Sequence, residues 1–114
     1  MRNNLVIVDF RSTNPAAGVR PALVVQNESD NARMSNTIVV QITTTIRRKL
    51  EGTQLLLDQQ HPDWQQSGLR RTSVINCSNI YTIRQQHIAK VIGSLSNATM
   101  QDVEKCLRVA LELN

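Results

Sequence analysis

At 114 residues the chain is long enough to close one modest hydrophobic core and short for two, so it is read as a single domain spanning residues 1–114. Hydrophobic residues make up 40% of it but aromatic ones only 3%, with Phe10, Trp64 and Tyr81 the whole supply, which argues against a sheet that binds RNA by stacking bases on several exposed rings. A net charge of +4 suits a polyanionic partner without naming one, and the first apolar run, Leu5 to Val8, is too short for a secretion signal or a membrane span, so the expected location is the cytoplasm.

Leu5 to Phe10 has the pattern of a buried strand, and RSTNPAAG after it has the composition of a loop. VRPALVVQN follows as a second strand, with Pro21 near its start, where a strand tolerates proline best. Glu28 to Asn36 is polar and turn-like, and TIVVQIT is a third strand rich in β-branched residues. The basic stretch IRRKLEG leads into TQLLLD, a short fourth strand, and Gln59 to Arg71 reads as one long loop. SVINCSNIYTI returns to the sheet.

Two helical stretches are predicted at the end, a short one around Arg84 to Ile92 and a longer one capped by Ser96. In the longer helix Met100, Val103, Leu107, Ala110 and Leu111 recur at three- and four-residue steps and share one face. Strands first and helices last point to an α+β, mostly β domain: an antiparallel, barrel-like sheet covered by a C-terminal helix. Cys77 and Cys106 lack any metal-ligand spacing and are read as reduced, buried thiols.

Familiar catalytic signatures are missing: there is no GxSxG, Walker loop, HExxH or glycine-rich dinucleotide fingerprint. His61 and His87 are read as solvated, Asp58 and Asp63 as exposed on the long loop, and Asp9 as an acceptor for nearby loop amides. More informative are GVRPALVVQN and TIVVQITTT, which put Arg20 at the start of one strand and a threonine cluster at the end of the next. If those strands are antiparallel neighbours, Arg20 and Thr43 meet at one end of the sheet. A guanidinium beside a hydroxyl suits a phosphate, although an arginine paired with a carboxylate and threonines filling a strand fits the same local pattern.

In order and spacing, VDF, GVRPALVVQN, IVVQIT, GLRRTSV and IGSLSNATMQDVEKCLRVALEL resemble the MazF/PemK (Kid) family of toxin ribonucleases from Leu5 to about Leu113. The resemblance implies an SH3-like barrel with a C-terminal helix and a homodimer. It also implies sequence-specific, metal-independent cleavage of single-stranded RNA to a 2',3'-cyclic phosphate and a 5'-hydroxyl, with no cofactor, held in check by an antitoxin with an acidic C-terminal segment. Carried over by position, the family's arginine falls on Arg20 and its threonine on Thr43.

The chain departs from the family pattern at Asn3 and Asn4, in a first loop without an acidic residue, and at Ser78 and Asn79, where the family has Glu-Gln. Asn79 still offers an amide to a base. The loops at residues 11–19, 46–52 and 59–71 are expected to form the RNA channel, with Arg47, Arg48, Lys49, Arg70 and Arg71 supplying charge and Trp64 stacking a base. Two other readings stay open at this point: a gyrase-poisoning toxin of the same fold, and a catalytically inactive RNA-binding relative.

Overall fold

Five runs of β-branched and aliphatic residues become five strands, and a sixth appears where a helix was expected. The computed structural model describes residues 1–12 and 14–114; Thr13, inside the first expected channel loop, lies outside the described residues. The strands are β1 (Asn4–Asp9), β2 (Val19–Val24), β3 (Asn36–Thr43), β4 (Gln54–Leu57), β5 (Ser73–Arg84) and β6 (Ile88–Ser94). They form one antiparallel sheet in the order β4-β5-β3-β2-β1-β6, covered by the C-terminal helix α3 (Asn97–Leu111). The fold is mostly β, as read.

Alternation along the strands sends apolar side chains to both faces of the sheet. One core holds Leu5, Leu23, Val40, Ile42, Ile75 and Cys77 beneath Met100, Val103 and Cys106 of α3. The other holds Val6, Val8, Ala22, Val24, Val39 and Ile83, with Phe10 and Ile88 packed against it. Ser96 caps α3 by accepting from the Thr99 backbone N–H at 3.3 Å. Of the apolar residues expected on the inner face of α3, Leu111 is the exception and stands exposed near its end.

The helix expected around Arg84 to Ile92 is instead a 3-10 turn, Gln85–His87, running into β6, which pairs with β1. A spacing of four residues between Ile88 and Ile92 suits a helix. In the structure the bulged pairing with β1 instead sets Ile88 against the second core and Ile92 against the first. The polar turn after β2 contains α1 (Glu28–Arg33), capped by Asn27, and the long loop contains α2 (Trp64–Ser67).

Asp63, expected to be exposed, is buried just before α2 and accepts from the Ser96 backbone N–H at 2.8 Å and the Ser96 hydroxyl at 2.9 Å. Burial pushes its carboxyl up, but hydrogen bonds from Thr99 and Ser96 outweigh that and hold it below the ordinary value. A single carboxylate thus ties the loop to the start of α3. Between Val40 and Gln41 of β3 the register with β5 jumps from Ile80 to Asn76, leaving Cys77, Ser78 and Asn79 without partners on β3. Among the described residues no helix is long and apolar enough to cross a membrane.

Glu28 binds the first turn of the chain to α1. It accepts from the Arg2 backbone N–H at 2.7 Å, the Asn31 amide at 3.1 Å and the N-terminal ammonium at 3.1 Å. Those bonds, led by the Arg2 N–H, depress its carboxyl from 4.5 to about 2. A depressed acid contributes stability that is present above its unfolded value and lost as pH falls through its folded value. Glu28→Gln is therefore expected to unfold at lower temperature than the parent at pH 6, and the gap in melting temperature should close as pH falls from 4.5 towards 2. An equal gap at both ends of that range would contradict this.

Candidate active site

The register of β2 and β3 sets Ala22 opposite Gln41 and Leu23 opposite Val40. Continued by two residues, the same register sets Arg20 opposite Thr43. Both residues line a groove of about 810 Å³ on the face of the sheet away from α3. Just before β2, Gly18 takes the left-handed conformation, at a φ of 69°. The neighbouring Ala17 carbonyl accepts from Arg20 Nε at 2.8 Å.

This anchor engages one nitrogen of the guanidinium, and among the described residues its two terminal nitrogens are left for a ligand. Among the described residues no carboxylate lies within ion-pair distance of Arg20. The carboxylate nearest in the sheet, Asp9, is taken by Arg11, with contacts at 2.9 and 2.8 Å, and it also accepts from the Arg11 backbone N–H at 3.0 Å. Bonding to Arg11 holds Asp9 at about 2, so it remains an anion and a weak base at neutral pH. Its reading as an acceptor for a loop amide fits this geometry.

Thr43 is half-buried at the end of β3, and its Oγ1 accepts from the Thr45 backbone N–H at 3.1 Å. With that lone pair engaged, the hydroxyl proton is free to turn towards the groove. The site therefore offers a planar cation and a neutral donor across one strand gap. Two phosphate oxygens fit that pairing.

Other residues complete the walls. Phe10 and Tyr81 form a tilted pair with ring centroids 5.6 Å apart, and both line the groove together with Arg84 and His87. His87 lies half-buried, 3.4 Å from the Ser12 hydroxyl, rather than free in solvent. Phe10, Tyr81 and Arg84 were not assigned to the site from the sequence, and His87 was read there as solvated. Arg84 and His87 fell on the expected helix, and only the β6 pairing brings them to the groove.

Gln41 and Thr43 also border a second, smaller cleft of about 190 Å³, lined by Thr45, Arg47, Arg48, Gln54 and Asn76. Arg48 is held in a two-pronged pair by Glu51 at 2.9 Å on each prong, whereas Arg47 has no carboxylate partner among the described residues. Lys49 is exposed on the same turn and lines neither cleft. Arg70 and Arg71 are exposed just before β5, at the end of the sheet where Thr43 pairs with Val74, and they too line neither.

Trp64 sits half-buried in α2 and borders neither cleft, so Phe10 and Tyr81 are the rings that face the groove. Asn79 lies in the unmatched part of β5 and donates to Gln41 Oε1 at 2.8 Å. Among the described residues, no three His, Cys, Asp or Glu side chains gather as metal ligands would.

Residues 1–111 match the model of a family described as PemK-like, MazF-like toxin of type II toxin-antitoxin system. Endoribonuclease EndoA of Bacillus subtilis (strain 168) is 33% identical over 96 residues, covering 84% of this chain and 78% of that protein. An endoribonuclease solved in complex with its cognate antitoxin, from a mycobacterial species, superposes with a TM-score of 0.80 at 24% identity, covering 100% of this chain and 96% of that one. A MazE-MazF structure from Deinococcus radiodurans superposes with a TM-score of 0.71 at 17% identity, over 98% and 94% of the two chains. At those identities the two superpositions speak for the fold.

Proposed function

The chain belongs to the PemK-like, MazF-like toxins of type II toxin-antitoxin systems, and from that premise we propose that it is an endoribonuclease that cuts single-stranded RNA with Arg20 and Thr43 at its centre. The observation that carries this reading is the Arg20 guanidinium, which among the described residues has no ion-pair partner and is anchored through Nε alone, set across from an oriented Thr43 hydroxyl in an open groove.

RNA brings its own nucleophile. The 2'-oxygen forms a bond to phosphorus while the bond from phosphorus to the 5'-oxygen breaks, giving a 2',3'-cyclic phosphate and a 5'-hydroxyl. The protein needs to align that attack and stabilise the charge that builds on the phosphoryl oxygens. Arg20 is placed to take two of those oxygens, and Thr43 donates to one of them or orients the 2'-hydroxyl. No cofactor or resident metal takes part in this scheme.

Arg47 and Arg84 extend the positive surface on either side of the pair and suit the neighbouring phosphates. The same charges suit an antitoxin whose acidic C-terminal segment competes with RNA, in keeping with the mycobacterial relative that was solved with its antitoxin. The working unit in this proposal is a homodimer.

Purified protein is expected to cut a long single-stranded RNA equally well with and without EDTA and to leave 3' ends that resist ligation until the cyclic phosphate is opened and removed. Intact RNA, or 3'-hydroxyl ends, would overturn the proposal. Raising salt should weaken RNA binding steeply, in step with the number of phosphates contacted.

A further inference from the structure

Three amide side chains lie in a row across adjacent strands. The register sets Asn76 of β5 opposite Gln54 of β4 on one side and opposite Gln41 of β3 on the other. Gln54 Nε2 donates to Asn76 Oδ1 at 2.8 Å, and Asn76 Nδ2 donates to Gln41 Oε1 at 3.0 Å. Asn79, brought back by the unmatched stretch of β5, donates its Nδ2 to the same Gln41 oxygen at 2.8 Å. Gln54 and Asn76 are each only 8% exposed, so this network must satisfy itself.

One member of the network has no choice of role. The Ser78 backbone N–H donates to Asn76 Oδ1 at 3.0 Å, and a backbone N–H can only donate. It therefore fixes which end of the Asn76 amide is oxygen, and so turns Asn76 Nδ2 towards Gln41. Gln41 must answer with Oε1, which leaves its NH2 group pointing away from the row. Among the described residues nothing accepts from that NH2, and no buried side-chain nitrogen or oxygen is left without a partner, so it opens to the clefts that Gln41 lines.

Gln41 and Thr43 stand two residues apart on one strand, project to the same face and are separated by about 7 Å. That separation is within reach of a base attached to the phosphate at Thr43. We infer that Gln41 is a specificity-determining residue that donates to an acceptor on one RNA base, and that Asn76 is a positioning residue that sets the direction of the Gln41 amide without touching RNA. The inference rests on the ribonuclease reading above.

The test is digestion of a single-stranded RNA library of random sequence, with the 5' ends of the products sequenced, by the parent and two variants. Gln41→Glu keeps an oxygen for Asn76 and Asn79 but replaces the outward donor with an acceptor. Asn76→Asp puts a charged acceptor where Gln41 met a donor, which outweighs the one donor left at Asn79, so the Gln41 amide turns its NH2 inward and presents its oxygen outward. Each is expected to change the relative use of bases at one position near the cut by about tenfold. Preferences elsewhere should stay as in the parent, and circular dichroism should show an intact fold.

Because the readout is a ratio among bases, a uniform loss of rate counts as an unchanged preference. Unchanged preferences in Gln41→Glu overturn the base-reading role, and unchanged preferences in folded Asn76→Asp overturn the control by Asn76. A folded parent that leaves the library intact overturns the ribonuclease reading itself, and the inference with it.

Discussion

Arg20→Ala is expected to lower cleavage of single-stranded RNA by about 10²- to 10³-fold, the usual effect of deleting one fixed donor to a charge that develops during reaction. The guanidinium touches the protein through one hydrogen bond to the Ala17 carbonyl and forms no ion pair among the described residues. Its removal should therefore leave melting temperature almost unchanged. Arg20→Lys keeps the charge but loses the planar fork and should recover only a small part of the rate. Thr43→Val, which preserves shape and removes the hydroxyl, should cost less than Arg20→Ala. Cleavage at the parental rate by both Arg20→Ala and Thr43→Val would remove the site from this groove.

The largest effect on stability is expected from Gly93→Ala. A Cβ at Gly93 would overlap the backbone of Gln66 and Ser67, and one at Gly68 would overlap the Ile92 carbonyl. Gly68 also ends α2 in the left-handed conformation, at a φ of 73°. The two glycines let α2 lie directly on β6, where Gln66 Nε2 donates to the Ser94 carbonyl at 3.1 Å. The colliding atoms are backbone and cannot swing aside, so Gly93→Ala should destabilise by about 3 kcal/mol. That corresponds to a drop in melting temperature of about 10–20 °C. A drop under 3 °C would show that α2 can lift away freely.

Much of the fold could be read from residue order because its evidence is local. The β-branched runs of β1, β2, β3 and β5 and the spacing from Met100 to Ala110 report their own structure. β6 could not be read, since Ile88 and Ile92 stand at a helical spacing and only the bulged pairing with β1 sets them against opposite cores. Asp63 looked like a loop carboxylate because its partner, Ser96, is remote in sequence. The juxtaposition of Arg20 and Thr43 follows from the assumption of adjacent antiparallel strands. The amides at Gln41, Gln54 and Asn76 gave no such signal, for one polar residue in a strand ordinarily faces solvent. What marks them is their alignment across three strands, which requires the registers. Trp64 is the opposite case: its ring suggested stacking, but α2 holds it away from both clefts.

The unmatched stretch of β5 bears on how a lineage of such chains can diverge. Asn36 to Val40 stay paired with Ile80 to Arg84 on one side, and Gln41 to Thr43 with Val74 to Asn76 on the other. A residue exchanged at Ser78 or Asn79 falls between two complete ladders and shifts neither, while Cys77 is held in the core beneath α3. Descendants can rewrite the side chain that meets Gln41 there while Arg20 and Thr43 stay in step. Chains that depart here from the family's Glu-Gln are therefore expected to keep the chemistry while changing the message they recognise.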